Sequence, residues 1–305
     1  MSRLDPLRER QEFIEAMEAR RELSSAGPLD QPARHVHRPG AERPYQPRST
    51  SELCHRDIPL EDARGLTCDR HRDCRLRDSE LRTLAAIGKF RVVGTADLMH
   101  LDYHGHPEQA QQDLQNLLRR GLLRKGTFAG PEQTPRELLT LTKRGYRLLR
   151  ASRMVPKNQT IYYGFVRRHD ANHDAELYKV YSKELTRVVN EGGRNPRVVL
   201  DVELKRKINQ DLAKLGVDAR PEIARHHGLR VVCDRIPVPD VRIEYEQPNG
   251  ETARLDLELV TEHYRGRNLA AKVKAGFSLY TPRGEADRLR RVLDDHELIA
   301  EIFSL

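Results

Sequence analysis

The residues best suited to chemistry lie between Ile236 and Tyr280. Asp240, Asp256 and Glu258 are carboxylates on two apolar runs, 236–245 and 252–260, and Lys272 and Lys274 follow on a basic helical stretch. Asn249-Gly250 between alternating runs predicts a tight hairpin with both turn residues at positive φ. Period-two geometry puts Asp256 and Glu258 on one face of the second strand and Leu255, Leu257 and Leu259 on the other. Asp240, just ahead of the neighbouring strand, would complete a group of three carboxylates at one end of the ribbon. Such a group repels itself and resists desolvation unless a cation joins it. Mg²⁺ favours oxygen clusters of this kind, which makes Asp240 and Asp256 candidate Mg²⁺ ligands. The alternative is that these acids are solvent-facing strand residues paired with Arg242, Arg254 and Lys272.

Pro239-Asp240, a hairpin, Asp256-Leu257-Glu258 and a nearby lysine together resemble the PD-(D/E)xK nuclease superfamily. The resemblance implies that Asp240 and Asp256 hold metal and that a lysine activates water. Glu258 stands where the superfamily usually has that lysine, so Lys272 or Lys274 would substitute from the helix. It also implies that an acid on the first helix of the core, here Glu176, joins the cluster.

The elements that must carry these residues follow from periodicity. Residues 169–190 read as a helix bearing His173, Asp174 and Glu176. Residues 197–204 read as a strand in which Asp201 and Glu203 alternate with valine and leucine. Two helical stretches, 208–216 and 220–228, and an apolar run, 229–233, lead to the hairpin. Helix, strand, helix, paired strands and helix is the element order of a nuclease-like core at 161–281. His173 either orients a carboxylate or phosphate or is a solvated capping residue. Residues 282–305 read as a charged amphipathic end helix with Leu289, Val292, Leu293 and Leu298 inward.

Upstream, 76–155 contains three helices and a β-hairpin, the order of a winged helix-turn-helix. Leu81, Leu84 and Phe90 mark the first helix, opened by Ser79, and Thr95 caps a short second one at 96–100. Pro107 opens the third, which Gly121 closes. Strands are expected at 122–128 and 137–141, and Thr142 caps a last helix. The outward face of the third helix is Gln109, Gln111, Gln112, Gln115, Asn116 and Arg119, and side-chain amides and guanidinium groups pair with base edges. Arg120, Arg124, Lys125, Lys143 and Arg144 would meet phosphates. Between Leu76 and Val155 stand 14 Lys and Arg against 8 Asp and Glu, which supplies most of the net charge of +8 carried by the 305-residue chain. A basic excess placed on one domain points to a polyanion, with duplex DNA foremost. A winged helix used for protein contacts is the alternative.

Charged residues make up 33% of the chain and the hydrophobic types only 37%, so part of it is expected to lie outside any core. That part is 1–53, a charged helix at 6–23 followed by a Pro-rich basic linker. Cys54, Cys68, His71 and Cys74, within 54–75, suit a Cys₃His zinc site, with free thiols as the alternative. No apolar run reaches the roughly 20 residues of a membrane span. No signal-peptide core opens the chain, so cytoplasmic residence is expected.

With both halves in view the chain resembles the replication-relaxation family. The likeness rests on the winged helix followed by His173-Asp174-Ala-Glu-Leu-Tyr178, Ile236-Pro-Val-Pro-Asp240, Leu255-Asp-Leu-Glu258, Glu262-His-Tyr264 and Lys272-Val-Lys274-Ala-Gly-Phe-Ser-Leu-Tyr280. It covers about 76–280. The expectation is therefore an α+β multidomain protein, a winged helix-turn-helix followed by a restriction-endonuclease-like α/β core. It implies an accessory DNA-binding role in plasmid replication or mobilisation, with a relaxase or other mobilisation protein as partner and homodimerisation open. Two other readings stand beside it: a Mg²⁺-dependent endonuclease or nickase, and a dimeric transcriptional repressor.

Overall fold

The computed structural model describes residues 64–69, 72–103, 106–130, 134–261, 266–282, 284–295 and 300–305. The expected helix at 6–23, the basic linker, Cys54, His71, the Glu262-His263-Tyr264 motif and Leu298 lie outside these. The architecture is mixed α/β, with three sheets among the described residues. Two compact units divide the chain: Leu204–Pro237 belongs to one, and Thr50–Glu203 with Val238–Leu305 forms the other.

The larger unit opens with β1 (Arg64–Asp69) and β2 (Arg72–Arg77), an antiparallel hairpin. Cys68 and Cys74 are therefore strand residues, in register with Asp73 and Thr67 respectively. Next come α1 (Asp78–Gly88), the two-residue β3 (Val93–Gly94), α2 (Thr95–Asp102) and α3 (Pro107–Arg119). The backbone N–H of Arg77 donates to the Glu80 carboxylate at 2.8 Å, so a reach-back from the first turn, not Ser79, opens α1. Gly121, at φ +64, turns the chain out of α3. Strands β4 (Leu123–Ala129) and β5 (Pro135–Leu141) pair antiparallel, and β3 adds to the outer side of β5, giving the order β3-β5-β4. Helix α4 (Lys143–Ser152) is capped by Thr142, whose Oγ1 accepts from the Gly145 N–H at 3.0 Å.

The rest of this unit is α5 (Arg168–Asn190) laid on a five-stranded sheet of order β10-β9-β8-β7-β6. Its members are β6 (Arg194–Leu200), β7 (Val241–Glu246), β8 (Thr252–Leu259), β9 (Ser278–Thr281) and β10 (Ile302–Ser304). Helix α8 (Gly266–Ala275) makes the crossover that lets β9 run parallel to β8. Helix α9 (Ala286–Asp295) precedes β10. Leu177, Tyr178, Val180 and Tyr181 of α5 pack in one apolar core with Leu84, Ile87 and Phe90 of the α1 region and with Ile243 and Leu257 of the sheet. Phe90 meets the Tyr178 ring edge-on with centroids 5.3 Å apart, and the Tyr178 hydroxyl donates to Asp102. Segments 76–155 and 161–281, expected as separate domains, thus share a core.

Three sequence expectations change. The strand at 197–204 ends at Leu200, because Asp201 and Glu203 lie in the first turn of α6 (Asp201–Leu215), where acids oppose the positive end of the helix dipole. The hairpin loop runs through Gln247–Glu251 with Gly250 alone at positive φ, +85. Pro248 sets a turn in which the Gly250 N–H donates to the Gln247 carbonyl at 2.9 Å. The end helix stops at Asp295, and β10 closes the sheet edge, its Phe303 ring stacked on Tyr280 at 5.1 Å.

In the smaller unit, the apolar run 229–233 leads into a tight turn. Val232 and Arg235 form a single bridge around Cys233 and Asp234, both at positive φ. That unit also holds most of α6, a 3₁₀ turn (Val217–Ala219) and α7 (Arg220–His226).

Candidate functional site

The β7–β8 register decides which acids meet. Val241 lies opposite Leu257, and this brings Asp240, just before β7, beside Glu258 near the end of β8. The Asp240 N–H points to Glu258 Oε2 at 3.3 Å, and the Leu259 N–H donates to Asp240 Oδ2 at 3.0 Å. Lys272 of α8 reaches in from the side. Its Nζ sits 2.7 Å from Glu258 Oε1 and donates to the Val238 carbonyl at 2.7 Å. His173 of α5 completes the group, with Nε2 3.6 Å from Asp240 Oδ2. Glu258 is fully buried, so an anion there depends on Lys272 for its neutralisation.

Titration follows from these contacts. Burial would push the Asp240 carboxyl up, but the bond to His173, the charges of His173 and Lys272, and the Leu259 amide together hold it below the usual carboxylate range. Burial would depress His173, yet Asp240 first, then Asp174 and Glu258, keep its pKa above the ordinary value. Asp174, the next residue on α5, is buried and pushed up to about 6; Arg91, 2.6 Å away, offsets burial only in part, and nearby Asp201 adds to the rise.

Asp256 does not join the cluster. Both of its oxygens are taken by Arg242, Nε at 2.6 Å and Nη2 at 2.9 Å, in a bidentate pair with a buried guanidinium. Glu176 does not join either. It bonds Arg136 at 2.7 Å and Lys179 at 2.6 Å, within a network that includes Asp97. Lys274 is exposed, two residues beyond Lys272 and so off the inward face of α8. Of the expected triplet Asp256-Leu257-Glu258, only Glu258 meets Asp240, and the lysine beside it is Lys272 of α8. The competing reading, solvent-facing acids paired with Arg242, Arg254 and Lys272, describes the Asp256–Arg242 and Glu258–Lys272 pairs but not their exposure, since Glu258 is fully buried.

Mg²⁺ can be tested against this donor set. Asp240 is held ionised and offers the hard oxygen that Mg²⁺ takes, whereas Glu258 carries Lys272 on Oε1 and the Asp240 N–H at Oε2 and would join an ion only as Lys272 withdrew. Asp256, with Arg242 on both oxygens, does not fit. Sequence reasoning missed Asp201, whose N–H donates to the Asp240 carbonyl at 3.1 Å. Its signal, an acid opening a helix directly after an apolar strand, was hidden by the alternating pattern that continues through Glu203.

The second candidate surface lies on α3. Gln111, Gln112, Gln115 and Arg119 are exposed there. Gln109 and Asn116 are turned inward. Gln109 donates to buried Asp113 at 2.8 Å, while Asn116 donates to buried Glu80 and accepts from Arg120 at 3.1 Å. Beside them opens a polar hollow of about 300 Å³ lined by Arg77, Gln112, Gln115, Arg119 and Arg120 among others. Of the other basic residues expected to meet phosphate, Arg124 rests over the Phe165 ring, Lys125 pairs with Glu137 at 2.7 Å, Arg144 donates to the Arg120 carbonyl at 2.9 Å, and Lys143 is exposed.

No protein-family model, curated protein or solved structure matches the chain. No helix among the described residues is long and apolar enough to cross a membrane.

Proposed function

We propose that the protein binds duplex DNA through 76–155, read as a winged helix-turn-helix, and that a PD-(D/E)xK-like core stands behind it, as in replication-relaxation proteins. The observation that carries this reading is the exposed face of α3. Three glutamines and an arginine project from one helix beside a hairpin and a helix that bear Arg124, Lys143 and Arg144. Amides and guanidinium groups of this kind read adenine and guanine edges in the major groove, and the flanking cations meet phosphate. The role is accessory, in replication or mobilisation of a plasmid-like element, with a relaxase-type protein as partner and a homodimer as the form that would place two such helices about one helical turn apart.

The test begins with duplexes selected by the protein from a randomised pool. Wild type shifts their mobility, and Gln112→Ala with Arg119→Ala weakens binding roughly tenfold or more, each base contact being worth about 1–3 kcal/mol. Unchanged affinity in that double variant rejects base readout by α3.

A second reading, a metal-dependent nickase, is favoured by the approach of Lys272 to the Asp240–Glu258 pair. Asp240 and Glu258 would hold Mg²⁺, which when bound polarises a phosphoryl oxygen and lowers the pKa of water. The chain's own part is to keep Asp240 ionised, to set the Lys272 ammonium beside Glu258 and to hold His173 against Asp240. Nicking of supercoiled DNA with Mg²⁺ or Mn²⁺ that disappears in Asp240→Asn would establish it. Mobility shift without cleavage leaves the binding reading alone.

A further inference from the structure

The unit Leu204–Pro237 carries a cluster used by neither reading. Asp211 lies on α6, His226 ends α7 and His227 follows it. Asp211 Oδ2 is 2.7 Å from His227 Nε2, and the two histidine rings stand edge to face with centroids 5.0 Å apart. One ligating atom from each of the three side chains lies within 4.8 Å of the other two. The geometry points to a binding site for a divalent transition-metal ion, zinc above all, formed by Asp211, His226 and His227.

A hydrogen bond already joins Asp211 to His227, and the His226 ring stands exposed beside them. Two imidazoles and a carboxylate are a donor set that zinc takes readily, with a fourth position left to water. Metal–ligand bonds of about 2.0–2.2 Å place donor atoms roughly 3.4 Å apart. Closing the site therefore means opening the Asp211–His227 contact slightly and drawing the exposed His226 ring inward, a rotamer change at the surface. The helix end sets the sign of the ion. The C-terminal end of a helix is its negative end, and the site sits at the end of α7, which Gly228 at φ +63 closes. The purpose is structural. Helices α6 and α7 bury few apolar side chains, Ile208, Leu215, Ile223 and Ala224 among them, and an ion bridging Asp211 to His226 and His227 ties the two helices where that core is thin.

The experiment uses the full chain stripped of metal and titrated with Zn²⁺ against a chromophoric chelator, with the imidazole resonances of His226 and His227 followed by NMR. Zinc shifts both resonances, and His226→Ala, His227→Ala and Asp211→Asn each weaken that response at least about tenfold. His226 is exposed, so its replacement leaves the fold intact, which far-UV circular dichroism verifies. A parallel Co²⁺ titration separates this site from any cysteine site, because thiolate ligands add an intense near-ultraviolet band that imidazole and carboxylate do not. Resonances of His226 and His227 that stay unmoved by Zn²⁺, or a response equal to wild type in His226→Ala/His227→Ala, overturn the proposal.

Discussion

Arg242 grips both oxygens of Asp256, at 2.6 and 2.9 Å, across the β7–β8 ladder, and that pairing removes one carboxylate from the group at the strand ends. Arg242 is 1% exposed, so water does little to balance its charge and the Asp256 carboxylate carries much of that task. Removing one partner of such a pair strands the other. Arg242→Met should cost about 3–5 kcal/mol in urea unfolding, and adding Asp256→Leu should recover most of it. A loss under about 1 kcal/mol in the single variant would show that water reaches Asp256 more freely than the geometry implies.

On α3, two amides one turn apart should behave oppositely. Asn116 donates to Glu80, which is buried, so Asn116→Ala leaves an acid short of a partner and should destabilise by about 1–3 kcal/mol. Gln112 is exposed, and Gln112→Ala should stay within about 0.5 kcal/mol of wild type in stability while lowering duplex affinity. Thermal melts beside mobility shifts measure both. If the two variants exchange roles, the outward face of α3 has been misassigned.

These contrasts show where the sequence was readable. Helix periodicity located α1 and α3, Pro107 and Gly121 marked the limits of α3, and Thr142 marked the start of α4, because caps and breakers act over a few residues. The alternation Leu255 to Leu259 put Asp256 and Glu258 on one face correctly. What it could not give was the register between β7 and β8 or the reach of long side chains from other elements. Glu258 meets Asp240 because Val241 pairs with Leu257, and Asp256 is diverted by Arg242, an arginine whose burial no local pattern announces. Asp201 and Glu203 illustrate a different loss. An acid every second residue after valines looks like an exposed strand edge, but a helix start accepts the same acids for electrostatic reasons. Glu176 is a third case. Arg136, forty residues earlier, comes from β5, and only tertiary packing brings it to α5.

Gly145 marks a close approach between α4 and the start of β4. A Cβ built there would fall 2.1 Å from the Leu122 carbonyl oxygen, a backbone atom that cannot swing aside. The same carbonyl accepts from the Thr142 N–H at 3.0 Å, so the contact also fixes the cap of α4. Gly145→Ala must push α4 and its Lys143, Arg144 and Arg147 away from Leu122 and the start of β4. It should cost at least about 1–3 kcal/mol and weaken DNA binding without altering any basic residue. Chemical denaturation with a binding isotherm checks this, and a variant as stable as wild type would mean that α4 sits farther from Leu122 than described.

His173 and Asp240 form a pair whose signs can be worked through. His173 has a folded pKa above its ordinary 6.5, so its stabilisation is complete below that value and fades as pH rises through the folded pKa. Asp240 has a folded pKa below its ordinary 3.8, so its stabilisation is complete above that value and fades as pH falls through the folded pKa. The pair therefore contributes most between roughly pH 4 and 6.5. Asp174, pushed up to about 6, works the other way in this window and costs stability as pH rises from about 4 to 6. Glu258, Lys272 and Asp201 also face the site, so the measurement is best made on one nucleus. An NMR titration of the His173 ring should give a pKa above 6.5 in wild type, and Asp240→Asn should lower it, since burial then acts on the imidazole with less opposition. In Asp174→Asn the stability advantage of wild-type His173 over His173→Gln should be largest between pH 4 and 6.5 and shrink above. A His173 pKa that does not move in Asp240→Asn would mean that the 3.6 Å contact is not made in solution.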